Sequence, residues 1–362
     1  MEARNDRKVP FMATHPGRIL KNELGERGIS QKEFAQMIGM RTSHLNEIIK
    51  GKRNVTIAIA DKFEQALGIP SISWVNLQTQ YDYDIKAISE RKVKEIEANN
   101  EIEDYNKSFD VKTIAKRLGF CTDIPASSLI EKLKSALLLP PPAEMQFAIG
   151  RFKKSPKTGL NDRMIATWIL LAKYKARNTE ISGVYNKEDN KTLADSIKSI
   201  FNENINVIDR LKNVFSSYGI RFNVVEKIEK ASVDAYSFIE NGIPSISVTM
   251  RYNMIDHLAF DVMHELGHIY MHLDDEDSII NIEDYDSDSQ EEKEANRYAA
   301  NKLIPETLWS TAPKVRMNPY VIQRDYTNWA RKNNLNKWIV LGRISKETGM
   351  YKFSSDATRK IN

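Results

Sequence analysis

Over residues 15–67 the apolar positions recur at helical spacing in short segments broken by Gly25, Gly28, Gly39, Gly51 and Gly68. That pattern predicts a bundle of short helices. Within it, Ser30 is a suitable N-cap for a helix over 31–38, Gly39 supplies a left-handed turn residue, and Thr42 caps a second helix running to Ile49. Residues 81–108 are charged and weakly apolar, which predicts a solvated connecting helix with a domain boundary near residue 90. Residues 109–180 carry further helical patterns, interrupted at Pro125 and at Pro140, Pro141 and Pro142, which cannot continue a helix. A charged helix over 191–216 precedes alternation at Ile220, Phe222 and Val224 and short apolar runs at 235–238 and 246–248, predicting three strands. Helical period returns over 254–273 and 290–303, ending before Pro305. Helix, strands, then two helices describe an α+β domain.

A chain of 362 residues holds two or three domains at ordinary domain size. No apolar run approaches the roughly 20 residues that span a bilayer, and the first eight residues alternate acids and bases and lead into no apolar stretch. The expectation is a cytoplasmic protein without a membrane partner. Cys121 is the only cysteine, which rules out an intrachain disulfide and a thiolate zinc cluster. Any metal must therefore be held by His and carboxylate. Charge is uneven: the net is +4, yet residues 274–292 hold ten Asp or Glu and no Lys or Arg, so one acidic segment masks a basic remainder. That segment reads as a solvated loop, with a lid that repels DNA or recruits a basic peptide as the sharper alternative. Histidine is uneven too, since four of six (His257, His264, His268 and His272) fall within sixteen residues.

The two helices after Ser30 form a helix-turn-helix layout, locked by Phe34, Ala35 and Ile38 on the first and Leu45 and Ile48 on the second. The second helix then presents Thr42, Ser43, His44 and Asn46 to base edges, while Gln31, Arg41, Lys50, Lys52 and Arg53 are placed for phosphates. A helical hairpin with a solvated face would share this patterning. The segments His15-Pro-Gly-Arg-Ile-Leu, Gly28-Ile-Ser-Gln-Lys-Glu-Phe-Ala, Leu45-Asn-Glu-Ile-Ile-Lys-Gly-Lys-Arg, Leu67-Gly-Ile and Trp74-Val-Asn-Leu resemble the HigA antitoxin branch of the Xre and Cro/CI repressors. The resemblance covers roughly 13–85 and implies a five-helix, lambda-repressor-like head in a homodimer that binds operator DNA, often beside a toxin gene.

His264-Glu265-Leu266-Gly267-His268 places two imidazoles one turn apart on one helix face, with Glu265 beside them. Two imidazoles and a third ligand leave a tetrahedral zinc with one open position, and a neighbouring carboxylate serves as general base. Glu294, 26 residues on in a second amphipathic helix, is a candidate third ligand. The longer motif with a third histidine needs Gly at 271 and His at 274, where the chain has Met271 and Asp274. His272 follows His268 by one turn and reads as a support for the site rather than a ligand. His257 and Tyr298 read either as substrate contacts or as packing.

Residues 219–305 resemble the ImmA/IrrE metallopeptidases through Tyr236-Ser-Phe, Ile246-Ser-Val, His264-Glu-Leu-Gly-His and Glu294-Ala-Asn-Arg-Tyr-Ala. The resemblance implies a zincin-like fold with a small sheet, His264, His268 and Glu294 as zinc ligands, and Glu265 as general base. Such proteins typically cut a helix-turn-helix repressor. The expected chain is multidomain and mainly α: a DNA-binding head over 1–90, a helical spacer over 91–200, a zinc metallopeptidase domain over 201–310 and a helical tail over 311–362. Its expected function is a DNA-binding regulator with a latent zinc endopeptidase, its partner a toxin or a repressor. The alternative is an antitoxin-like repressor using the peptidase fold for docking or metal sensing.

Overall fold

The computed structural model describes residues 9–145, 161–273, 278–282, 289–314 and 318–362. The chain divides into two units, Met1–Asn100 with Pro125–Ser127, and Glu101–Ile124 with Ser128–Asn362. No described helix is long and apolar enough to cross a membrane.

In the first unit, α1 (Pro16–Glu26), α2 (Gln31–Met37), α3 (Thr42–Ile49) and α4 (Ile57–Leu67) are followed by the long α5 (Ser71–Ser108), whose residues from Glu101 onward fall in the second. The apolar spacing turns Leu20, Phe34, Leu45, Ile48, Phe63 and Trp74 into one core, each almost wholly removed from solvent. Burying a side chain of this size contributes about 1.5–3 kcal/mol. Phe63 lies 5.7 Å from Phe34 and meets Trp74 edge-on at 5.3 Å. Ser30 caps α2 as expected, in a reciprocal box: its hydroxyl accepts from Glu33 N–H and the Glu33 carboxylate accepts from Ser30 N–H.

The start of α3 differs from expectation. Thr42 is already inside the helix, and Arg41 is the N-cap, without a side-chain cap bond. The α2 exit explains this. Gly39 takes φ 61° and Met40 N–H bonds back to the Ala35 carbonyl at 2.8 Å, so only Arg41 remains to bridge the helices. Helix α5 passes unbroken through residue 90.

The second unit contains α6 (Val111–Arg117), most of α7 (Ala126–Leu137), α8 (Asp162–Arg177), α9 (Asn190–Glu203) and α10 (Val207–Ser217) ahead of the sheet. Strands β1 (Arg221–Val224), β2 (Val233–Glu240) and β3 (Ile243–Val248) are the three expected, and a fourth, β4 (Ser278–Ile282), completes the order β1-β3-β2-β4. β1 runs parallel to β3; β2 is antiparallel to both β3 and β4. The β2–β3 hairpin closes through Asn241 and Gly242, both at positive φ (55° and 71°), the conformation that a two-residue turn between twisted strands demands. β4 corrects the reading of 274–292 as one solvated loop: the β-branched residues in Ser278-Ile-Ile-Asn-Ile carry strand propensity inside an otherwise acidic stretch. The lid alternative falls largely on 274–277 and 283–288, outside the described residues.

The sheet is covered on both faces. Alternation along β2 sends Ser237 toward α11 (Ile255–Met271), while Tyr236 and Phe238 stack at 4.9 Å on the opposite face. Lys173 of α8 lies 5.6 Å from the Phe238 ring and Arg177 pairs with Glu240 at 3.1 Å, so α8 packs across β1, β2 and β3. Of the residues read from sequence as spacer, α8 thus packs on the sheet of the second unit, while 91–100 and 125–127 fall in the first. After β4 come α12 (Gln290–Leu303), α13 (Glu306–Trp309), α14 (Pro319–Lys332) and α15 (Lys337–Thr348). Trp338, Val340 and Leu341 of α15 are buried in the same core as Leu258, Val262 and Leu266 of α11, so the C-terminal helices belong to the body of this unit.

Candidate metal centre and DNA-reading helix

Helix α11 is buried along most of its length, and His264, Glu265 and His268 are almost completely shielded. Helix α12 crosses it closely because position 267 has no side chain; a Cβ there would meet the Tyr298 ring at 3.0 Å. This approach brings the first turn of α12 onto the imidazoles. His264 Nε2 and His268 Nε2 lie 2.9 Å apart. Glu292 faces both, with Oε2 3.1 Å from His264 Nε2 and Oε1 3.3 Å from His268 Nε2. These three side chains are the described group whose ligand atoms converge closely enough to hold one metal ion.

Glu294, the carboxylate singled out from sequence, does not join them. Its Oε2 accepts from His272 Nε2 at 3.1 Å, and Gln290 donates to its Oε1 at 2.6 Å. His272 Nδ1 in turn faces His268 Nδ1 at 3.0 Å, which makes Glu294 an indirect neighbour of the pair. The reason is helix phase. Ala295, Ala299 and Leu303 are the buried stripe of α12; Glu292 falls on that stripe one turn earlier, and Glu294 is rotated away from it.

The outer nitrogens fix how the rings present themselves. His264 Nδ1–H donates to Asn296 Oδ1 at 3.1 Å, a tautomer that leaves the Nε2 lone pair pointing inward. With His272 donating to Glu294, its Nδ1 accepts from His268 Nδ1–H, and His268 Nε2 is likewise a lone pair. Two lone pairs and a carboxylate converging in a buried site repel unless a cation lies among them. The donor set, two imidazole nitrogens and one carboxylate, therefore fits a metal ion.

Without a metal, protons on the imidazoles take the place of that cation and bridge them to Glu292. Burial works against a charged Glu292, but hydrogen bonds from His264 and His268 outweigh it and hold the carboxyl down at about 2. Burial also opposes a protonated His264, yet the bond to Glu292 and the charge of Glu265 outweigh it and raise the imidazole above its ordinary value. Glu265 is pushed up by burial, against the pull of both histidines and of a hydrogen bond from the Ser237 hydroxyl to Oε2. Its Oε1 has no partner among the described residues. Ser237 is a neighbour of the candidate site that sequence reasoning missed; its signal was a polar side chain midway along an otherwise apolar strand face. Of the other candidates, Tyr298 donates to Asn190 and packs against Gly267, and His257 is exposed against Tyr252.

In the head, Arg41, Thr42, Ser43, Lys50, Lys52 and Arg53 are exposed, whereas Gln31, His44 and Asn46 are half-buried. His44 Nε2 is shielded, which turns that edge of the ring away from solvent. Arg53 pairs with Glu47 at 3.1 Å on the surface. Leu45 and Ile48 anchor the inner face of α3 and leave Thr42, Ser43 and Asn46 along its outer side.

Residues 20–73 match the helix-turn-helix family and residues 224–337 the IrrE N-terminal-like domain. Virulence-associated protein I of Dichelobacter nodosus is 37% identical over 76 residues, which make up 21% of this chain and 70% of that protein. The uncharacterized HTH-type transcriptional regulator YddM of Escherichia coli K12 is 32% identical over 72 residues, 19% of this chain and 77% of its own length. Among solved structures, an addiction module antidote protein of the HigA family from Coxiella burnetii is 30% identical, matching 21% of this chain and 83% of its own with a TM-score of 0.20. The chain thus belongs to the Xre-type helix-turn-helix regulators and joins to that head an IrrE-like, metallopeptidase-type domain.

Proposed function

We propose that the chain is an operator-binding repressor whose second unit is a zinc-dependent endopeptidase, held latent until a partner or signal engages it. The observation that carries this reading is the convergence of His264, His268 and Glu292 beside the buried carboxylate of Glu265. Zinc, when bound by those three side chains, would supply Lewis-acid polarisation in a dry site. The chain's own residues do the rest. Glu265 accepts and returns a proton at its free oxygen, Oε1, while Ser237 fixes Oε2 and so orients the group. Asn296 and the His272–Glu294 pair orient the two imidazoles.

In the head, Thr42, Ser43 and Asn46 read base edges, with Arg41, Lys50, Lys52 and Arg53 on phosphates and Gln31 and His44 at the margin. A single module of this size binds weakly, so the operator complex is expected to be a homodimer on paired half-sites. A toxin or a second repressor is the expected protein partner. Latency follows from having a peptidase in one chain with a helix-turn-helix domain, the class of target it would otherwise cut.

One preparation tests both halves. Metal analysis of the purified full chain should give one zinc per chain, and a gel shift should show binding to its own promoter in preference to unrelated DNA. Loss of zinc binding in His264→Ala with promoter binding retained supports two separable functions. A chain that binds no metal, or no DNA, contradicts the corresponding half.

A further inference from the structure

A cavity of about 490 Å³ lies beside the metal centre. Asp256, His257 and Asp261 of α11 line one side, and Trp338 of α15 with Tyr351 and Phe353 of the C-terminal segment line another. Asp261 precedes His264 by three positions and Glu265 by four, so cavity and imidazole pair occupy successive turns of one helix, about 5 Å apart along its axis.

The C-terminal wall is firmly built. Arg359 grips Asp256 through two bonds, Nε to Oδ1 at 3.1 Å and Nη2 to Oδ2 at 2.7 Å. The same guanidinium lies 5.3 Å from the Trp338 ring, whose Nε1 donates to Thr358 at 2.9 Å. Lys360 pairs with Met254 at the entry to α11.

Charge inside the cavity is unbalanced. Of its three aspartates, Asp256 is matched by Arg359, and Asp234 by Arg251 at 3.0 Å. Asp261 has no hydrogen-bond or ion-pair partner among the described residues and is only partly exposed. Burial and the nearby Asp234 push its carboxyl well above the usual range. An ionised carboxylate so placed recovers only part of its lost hydration through the nearby His264, and an entering cation would restore the balance. Aromatic rings in the lining favour a planar or alkylated cation over a hydrated metal ion. The volume is ample for a long side chain together with part of its backbone.

We infer that this cavity receives the basic side chain, Arg or Lys, of a bound peptide, with Asp261 as its counter-ion. The inference rests on the peptidase reading for the identity of that peptide as substrate: the basic residue would lie close to the bond that is cut. Binding of the side chain itself needs no cleavage.

The test uses the zinc-loaded full chain carrying Glu265→Gln, titrated by calorimetry with a capped Ala-Ala-Arg-Ala-Ala peptide, its citrulline counterpart, and agmatine. The arginine peptide should bind at least about tenfold more tightly than the citrulline peptide, and more tightly than agmatine. Adding Asp261→Asn should erase the arginine preference without lowering Tm, since it removes an unpaired acid. Equal binding of the two peptides, no binding by either, or agmatine binding as tightly as the arginine peptide overturns the inference; the last would mark a free-cation site. If Asp261→Asn does not fold, the arginine–citrulline comparison decides alone. A chain that discriminates the peptides but never cleaves them keeps the cavity assignment and loses the peptidase reading.

Discussion

The hydroxyl of Ser237, midway along β2, donates to Oε2 of Glu265 on α11, tying the sheet directly to the carboxylate beside the metal centre. That bond favours the charged form of a group that burial pushes toward neutrality. Ser237→Ala should therefore raise the Glu265 pKa further. If the domain cleaves, the acid limb of its pH–rate profile should move to higher pH, with activity near neutrality lower by on the order of tenfold. Threonine at 237 should restore the profile in part, which a packing defect alone would not produce.

Glu292 and Glu294 give opposite expectations for metal affinity. Glu292→Gln removes a converging ligand and should weaken zinc binding by at least about 100-fold, whereas Glu294→Gln acts only through His272 and should cost about tenfold or less. Competition against a chelator of known affinity measures both. The reverse order would return the ligand role to Glu294.

The metal-free site should show its own pH dependence. Glu292 has a folded value near 2 against an ordinary 4.5, so its stabilising contribution is complete above about 4.5 and is lost as pH falls toward 2. His264 is raised above 6.5, so its contribution is complete below 6.5 and is lost as pH rises through the folded value. Thermal melts in chelator should thus find the site's contribution largest between about pH 4.5 and 6.5. Zinc must displace the His264 proton, so zinc affinity should instead rise with pH through that range and above it. A zinc affinity indifferent to pH would contradict the ligand assignment.

In the head, phosphate and base contacts separate by their salt response. Lys52→Ala should weaken binding to operator and unrelated DNA alike and reduce the slope of log K against log salt by about 0.9. Ser43→Ala or Asn46→Ala should leave that slope alone and cost about 1–3 kcal/mol of operator preference. Gel shifts over a salt series on both DNAs distinguish the two behaviours.

Much of this was legible in the chain, and the gaps have identifiable physical causes. The head could be read because its helices are short, capped and glycine-punctuated, as at Ser30 and Gly39. His264, Glu265 and His268 could be read because i, i+4 spacing fixes geometry within one helix. The third carboxylate could not be fixed by counting from His268, since Glu292 and Glu294 differ by 200° of helix rotation; the phase was nevertheless available from Ala295, Ala299 and Leu303. Ser237 and Glu265 meet only through tertiary packing. β4 was hidden because acids on both sides outweighed the local signal of Ile279, Ile280 and Ile282. The cavity was invisible for a similar reason: Asp261, Trp338 and Phe353 are far apart in sequence and converge only when α15 docks on α11.

The central claim, a regulator whose peptidase chemistry matters, is tested most directly by an operator reporter in cells carrying either the unsubstituted chain or Glu265→Gln, challenged with a panel of stresses. Glu265→Gln spares the three ligands, so both proteins should hold zinc and repress equally at rest. Induction in cells with the unsubstituted chain and its loss with Glu265→Gln is the expected result. Equal induction by both proteins, with zinc bound in each, would contradict the account and leave the second unit a docking or metal-sensing module.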